Sequence, residues 1–333
     1  MIGLLLSCLL APSKATTDTL PSLFDYLAGF DSLELVISTD SKSLLRKRDE
    51  YQDAEINFKF GDQEVLSTGG EIRTRGNVRK DICYMPPTKL RFDKDYLKEL
   101  GFSTYPTLKV VNSCSLRDPD QIYVHAEHLI YRLDRLFTDH SFRTIPLQIR
   151  YIDTQDKRDD MVFFAFIIEH EDQLADRLGG SIYEGTLFKE EMLKRDAYLD
   201  FCMFQYMIGN TDWKVLNKHN MKILRVMDLK EIHAIAYDFD YSGFVATHYA
   251  VPHESLPLES VIERLYLGPC MGEKELMACR QKFLDKREEV LAMIEDTPKL
   301  GKRALKRCNY YIEEFYKVLE SEAACKKIFA DCR

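Results

Sequence analysis

Apolar positions alternate along the first half of this chain and step by threes and fours along the second. Leu33, Leu35 and Ile37 share one face of a strand, with Glu34 and Val36 on the other. Ile56 to Phe60, Glu71 to Arg75, Lys89 to Phe92 and Leu108 to Val111 read as further strands, as do Ile145 to Ile152 and Met161 to Ile168. Gly69-Gly70 and Pro86-Pro87 read as turns between them. Ile130, Leu133 and Leu136, at spacing three, predict one helix in this half. Beyond Glu169 the pattern becomes helical. Leu193, Ala197, Phe201, Phe204 and Ile208 mark one buried helix face, and Gly209 suits its C-terminal cap. Leu305, Cys308, Ile312, Phe315 and Leu319 mark another near the end. A sheet-rich half followed by a helix-rich half predicts an α+β chain of two lobes, 22–168 and 169–333.

Composition narrows the partners. The 333 residues suit one two-lobed domain or two modest ones, and a net charge of -8 argues against a nucleic-acid partner, which needs a broad cationic face. The apolar run Met1 to Ala11 is too short to cross a bilayer, which takes roughly 20 residues. It suits the apolar region of a signal segment over residues 1–15, although no Lys or Arg precedes it. Leu5-Leu6-Ser7-Cys8 resembles a lipobox, so Cys8 would carry a lipid anchor to a membrane. These features predict an exported protein, periplasmic or held at the cell envelope. Of nine cysteines, eight remain without Cys8, enough for four disulfides. Cys83 and Cys114 each follow a strand and are candidates for one bridge. Cys325 and Cys332, seven apart, would be about 10 Å apart on one helix and can pair only if that helix ends between them.

The richest chemistry lies between the helix ending at Gly209 and the segment Tyr237-Asp238-Phe239-Asp240. Asn210-Thr211-Asp212-Trp213 follows that helix, and Lys218-His219-Asn220 precedes the apolar run Met221 to Leu224. A second strand, Ile232 to Ala236, leads to Asp238. Phosphoryl transfer needs a carboxylate that positions the acceptor hydroxyl, and oxygen ligands for Mg2+ beside the ATP phosphates. Asp212 fits the first role. Asn220 and Asp238 fit the second, with Asp240 as a further ligand or a supporting group. Upstream, Arg73 and Arg75 alternate onto one strand face and suit bidentate phosphate bonds. Lys109 on a strand and Glu127 on a helix suit the Lys–Glu pair that steadies ATP phosphates in kinases. Lys89 is the competing candidate. His125 and His128, three apart on the same helix, have no evident third metal ligand.

The order Asp212, His219-Asn220, Asp238-Phe239-Asp240 resembles the catalytic and metal-binding stretch of CotH-type spore-coat kinases. Ile72-Arg73-Thr74-Arg75-Gly76-Asn77, Lys89-Leu90-Arg91-Phe92 and the strand Val162 to Ile168 before Glu169 resemble segments upstream of it in that family. The resemblance spans roughly residues 70–245. Val78, Arg79 and Lys80 stand where the family has a Ser-rich run. The resemblance implies a two-lobed protein-kinase-like fold and an ATP- and Mg2+-dependent kinase, with Mn2+ as a substitute metal. Its acceptor would be a Ser or Thr of an exported protein, with small molecules and glycans as open alternatives. The alternative is a noncatalytic envelope scaffold, or pseudokinase, on the same fold.

Overall fold

The computed structural model describes residues 20–103 and 105–331. The signal segment expected at 1–15, Cys8 and Cys332 lie outside these residues.

The first half contains β1 (Leu33–Thr39), β2 (Gln52–Phe60), β3 (Gln63–Thr74), β4 (Thr88–Arg91), β5 (Thr107–Asn112), β6 (Thr144–Asp153) and β7 (Met161–Ile168). These strands close into a barrel in the order β1-β2-β3-β4-β5-β7-β6. Neighbours run antiparallel except β1 and β6, which run parallel from Leu33 opposite Leu147 to Thr39 opposite Asp153. Alternation explains the filling. Leu35, Ile37, Ile56, Phe58, Ile72 and Ile149 are all fully buried in one apolar core.

This closure corrects the expected fold. The chain is α+β with a helical second half, but residues 22–168 do not build a kinase-like sheet lobe. The reason is one long-range pairing. β1 meets β6 across more than a hundred residues, and alternation along a strand states which face is apolar without stating which strand lies beside it. A second correction concerns Gly69-Gly70. Both lie within β3, opposite Glu55 and Ala54. The hairpin turn falls instead at Gly61, whose φ is +58°.

The second half packs the helices Arg195–Ile208, Glu273–Asp285, Arg287–Glu295 and Gly301–Glu320 with a small sheet. That sheet joins β8 (Gly180–Ile182), β9 (Met221–Val226) and β10 (Glu231–Ala236), in the order β10-β9-β8. The predicted stripes supply its core: Phe204, Ile208, Cys308, Ile312, Phe315 and Leu319 are buried together. The Asp118–Phe137 helix belongs to this core and also packs on β7. His125 and His128 lie on it as buried core groups. His125 stacks on Phe164 at 3.5 Å, and burial lowers the two imidazoles to about 4 and about 3.

Cys83 and Cys114 form a disulfide, and Cys270 is also disulfide-bonded. Cys202, Cys279, Cys308 and Cys325 are free and buried, so the eight cysteines do not form four bridges.

Candidate active site

A cavity of about 250 Å³ opens where the barrel mouth meets the loops of the helical half. The barrel side contributes Arg75, Arg79 and, from the Asp118–Phe137 helix, Glu127 and Tyr131. The helical half contributes Asp212, His219, Asn220, Asp238 and Asp240. Arg75, Glu127, Asp212, Asn220, Asp238 and Asp240, all singled out in the sequence, therefore line one cavity. Lys89 and Lys109 lie outside its lining.

The barrel wall is built by a turn. β3 ends at Thr74, and Gly76, with φ +96°, turns the chain into the short helix Val78–Ile82. That left-handed backbone costs glycine little and brings Arg75 and Arg79 to the same cavity. Arg75 Nη2 donates to the Tyr237 hydroxyl at 2.6 Å. A guanidinium has five N–H donors, so this bond leaves others for a ligand. Burial alone would lower Arg75, but the Tyr237 hydroxyl and Asp238 carboxylate raise it overall. Arg79 is buried and donates to Glu127 Oε2 at 3.4 Å and to the Asn112 carbonyl at 2.8 Å. Burial raises Glu127 well above the usual carboxylate range, and Arg79 offsets only part of that. The Cys83–Cys114 disulfide and the bond from Asn112 Nδ2 to the Met85 carbonyl clamp this corner onto the end of β5.

The opposite wall hangs on loop geometry. The Arg195–Ile208 helix ends at Gly209 in the left-handed conformation, as its cap position requires. Gly243 N–H donates to the Gly209 carbonyl at 3.0 Å, and a Cβ on either glycine would overlap Tyr311 Oη. This contact ties the Asp212 loop to the loop that follows Asp240. Asn210 Oδ1 accepts from the Asp212 N–H at 3.0 Å. Asp212 Oδ1 meets His219 Nε2 at 3.0 Å, and Asp212 Oδ2 accepts from Asn220 Nδ2 at 2.8 Å. Asn220 Nδ2 also donates to the Asp212 carbonyl at 2.8 Å, so both bonds use the amide nitrogen and leave the amide oxygen of this cavity-lining residue as an acceptor. Asn220 and Asp238 have φ of 48° and 63°, conformations that Asn and Asp tolerate better than most residues. Asp238 N–H donates to the Tyr131 hydroxyl at 3.1 Å. Asp240 is buried and accepts from the Tyr249 hydroxyl at 2.9 Å. Burial, then the neighbouring Asp238 carboxylate, pushes Asp240 up to about 7.

The donor chemistry fits a hard divalent cation. Asp238, Asp240 and the Asn220 amide offer oxygen alone, as Mg2+ and Mn2+ prefer. No group of three His, Cys, Asp or Glu side chains is placed for a metal ion among the described residues. The protein's share would thus be two carboxylates and an amide, and Mg2+ commonly completes such a shell with water and substrate phosphates.

The lysines are placed differently from the expected pairing. Lys109 Nζ lies 3.7 Å from Glu171 and 5.2 Å from the Tyr237 ring centre, while Glu127 pairs with Arg79. Burial lowers Lys109 to about 8. Lys89 lies opposite Lys109 and Arg73 on neighbouring strands, and burial lowers it too. Arg73 and Arg75 alternate with the buried Ile72 and Thr74, but Arg73 lies outside the cavity lining, with Asp49 at 4.0 Å and the Tyr51 ring at 5.2 Å. Sequence reading missed Arg79, which lies in the stretch that departs from the family pattern. Its spacing of four from Arg75, across a glycine, was the available signal. No protein-family model matches the chain, and no curated protein matches it.

Proposed function

We propose that this cavity binds ATP with Mg2+ and transfers its terminal phosphoryl group to a Ser or Thr hydroxyl of a protein, the chemistry of CotH-type kinases. The observation that carries this reading is the opposition of two walls: Arg75 and Arg79 face Asp212, Asp238 and Asp240 across one cavity. Phosphates suit the guanidinium side. A divalent cation suits the crowded carboxylates, and one bound there would neutralise phosphate charge. Asp238, Asp240 and the Asn220 amide oxygen would hold it.

Asp212 orients the acceptor hydroxyl and takes its proton as the acceptor oxygen bonds the terminal phosphorus. The bridging oxygen leaves with ADP, so bonds and charge balance. His219 and Asn220 hold the Asp212 carboxylate in place for this role. The Cys83–Cys114 disulfide fits an oxidising compartment and so supports an exported acceptor.

The test is phosphate incorporation from labelled ATP with Mg2+ or Mn2+, into the protein itself and into Ser/Thr peptides. Asp212→Ala and Asp238→Ala should each lower incorporation about a hundredfold or more. Undiminished incorporation in both would refute the assignment. Nucleotide binding without transfer would leave a pseudokinase scaffold.

A further inference from the structure

A second cavity, of about 630 Å³, adjoins the first and shares Asp212 and His219 with it. Its walls differ in kind. Trp213, Val215, Leu216, Leu256 and Leu267 give it an apolar face, bordered by the polar Thr211, Lys214 and Asn217, whereas the first is lined mainly by charges. The Trp213 indole N–H is already donated to the Asn210 carbonyl at 3.1 Å, so this side chain presents only apolar surface. Leu216 is 50% exposed at the rim, which leaves the cavity open to a side chain entering from solvent.

One side of this cavity comes from a segment with no helix or strand. Residues 237–272 run from the end of β10 to the Glu273–Asp285 helix as turns and irregular chain, and supply His253, Ser255, Leu256 and Leu267. Irregular segments of this length within a compact protein are usually functional. This one also begins with the metal-site residues Asp238 and Asp240, so one stretch of chain serves both cavities.

We infer that the second cavity is the acceptor pocket and takes a bulky apolar side chain neighbouring the Ser or Thr that is phosphorylated. The inference rests on the phosphotransfer reading of the first cavity. Asp212 stands between the two spaces, so a hydroxyl approaching it from the apolar side faces phosphate held on the charged side. The occupant is a polypeptide segment. Leu216, Leu256, Leu267 and the capped Trp213 indole offer a hydrophobic contact for its side chain, and Thr211, Lys214 and Asn217 border that face with groups that can bond a peptide backbone.

The experiment uses the full chain, labelled ATP with Mg2+ and a positional-scanning library of Ser- and Thr-centred peptides, with ATP binding measured in parallel. Wild type should prefer Leu, Ile, Phe or Met over Asp at one flanking position by about tenfold or more, the scale of one buried apolar side chain. Leu256→Glu and Leu216→Glu alter half-buried and exposed positions, so both should fold. Each should reduce that preference to about twofold or less while ATP affinity stays within about twofold of wild type. A library labelled without apolar preference overturns the inference and leaves the nucleotide site standing. So does a preference unchanged in both variants, or ATP binding with no peptide labelled. Absence of ATP binding in wild type overturns the phosphotransfer reading, and this inference with it.

Discussion

The two walls of the charged cavity satisfy their charges in opposite ways. On the barrel side, Arg79 is buried against Glu127 and the Asn112 carbonyl, and a disulfide fixes the corner that carries it. On the other side, Asp212, Asp238 and Asp240 crowd together, and Asp240 is held partly protonated by burial and by its neighbours. Asn220 and Asp238 add left-handed backbone to that wall, a conformation that costs of order 1–3 kcal/mol per residue. One wall is compensated within the protein. The other crowds carboxylates closely enough that Asp238 raises Asp240, a strain that the proposed cation would relieve.

Breaking the compensated wall should have the largest effect on stability. Arg79→Ala strands Glu127 in the interior and should cost about 3–5 kcal/mol, toward the lower end because Glu127 can take up a proton. Arg79→Met with Glu127→Leu should recover most of that loss in denaturant melts, yet bind ATP no better than Arg79→Ala. Cys83→Ser with Cys114→Ser opens a loop with a sequence separation of 31 and should cost about 3–4 kcal/mol, and reductant should lower the wild-type melt by at least as much, because it also opens the Cys270 disulfide.

The uncompensated wall should respond with the opposite sign. Asp240 takes up its proton near pH 7 in the fold and near 3.8 in the unfolded chain. Across that window the native state holds more protons, so its contribution to stability falls as pH rises from about 4 through about 7. Asp240→Asn should therefore be more stable than wild type at pH 8, by about 1–3 kcal/mol, and close to it at pH 4. It should still lose Mg2+-dependent ATP binding. Equal stability of the two proteins at pH 8 would show that the carboxylates do not strain each other. The smallest effect should come from outside the cavity. Lys109→Met should change stability by under about 1 kcal/mol, because Glu171 keeps Lys222 at 2.5 Å.

The same contrast governs what could be read from the sequence. The acidic wall is local. Asp212, Asn220 and Asp238 lie within one helix-to-hairpin stretch, so their order along the chain already describes their neighbourhood. Alternation also located all or part of every barrel strand, because it reports which face is apolar. The closure of β1 onto β6 depends on pairing across more than a hundred residues, and no local pattern carries it. Arg79 was hidden for a related reason. Its partner Glu127 is 48 residues away, and the barrel brings them together, while Lys109 is drawn instead to Glu171. Gly69-Gly70 misled because paired glycines mark turns on average, whereas here they lie mid-strand.

The most direct test of the two-walled site is calorimetric titration of ATP into the protein with and without Mg2+, comparing wild type with Asp238→Ala and Arg75→Met. The account predicts that Mg2+ tightens ATP binding in wild type by about tenfold or more, that Asp238→Ala abolishes this gain, and that Arg75→Met weakens binding whether or not metal is present. ATP binding that is indifferent to Mg2+, or a metal effect that survives Asp238→Ala intact, would contradict it.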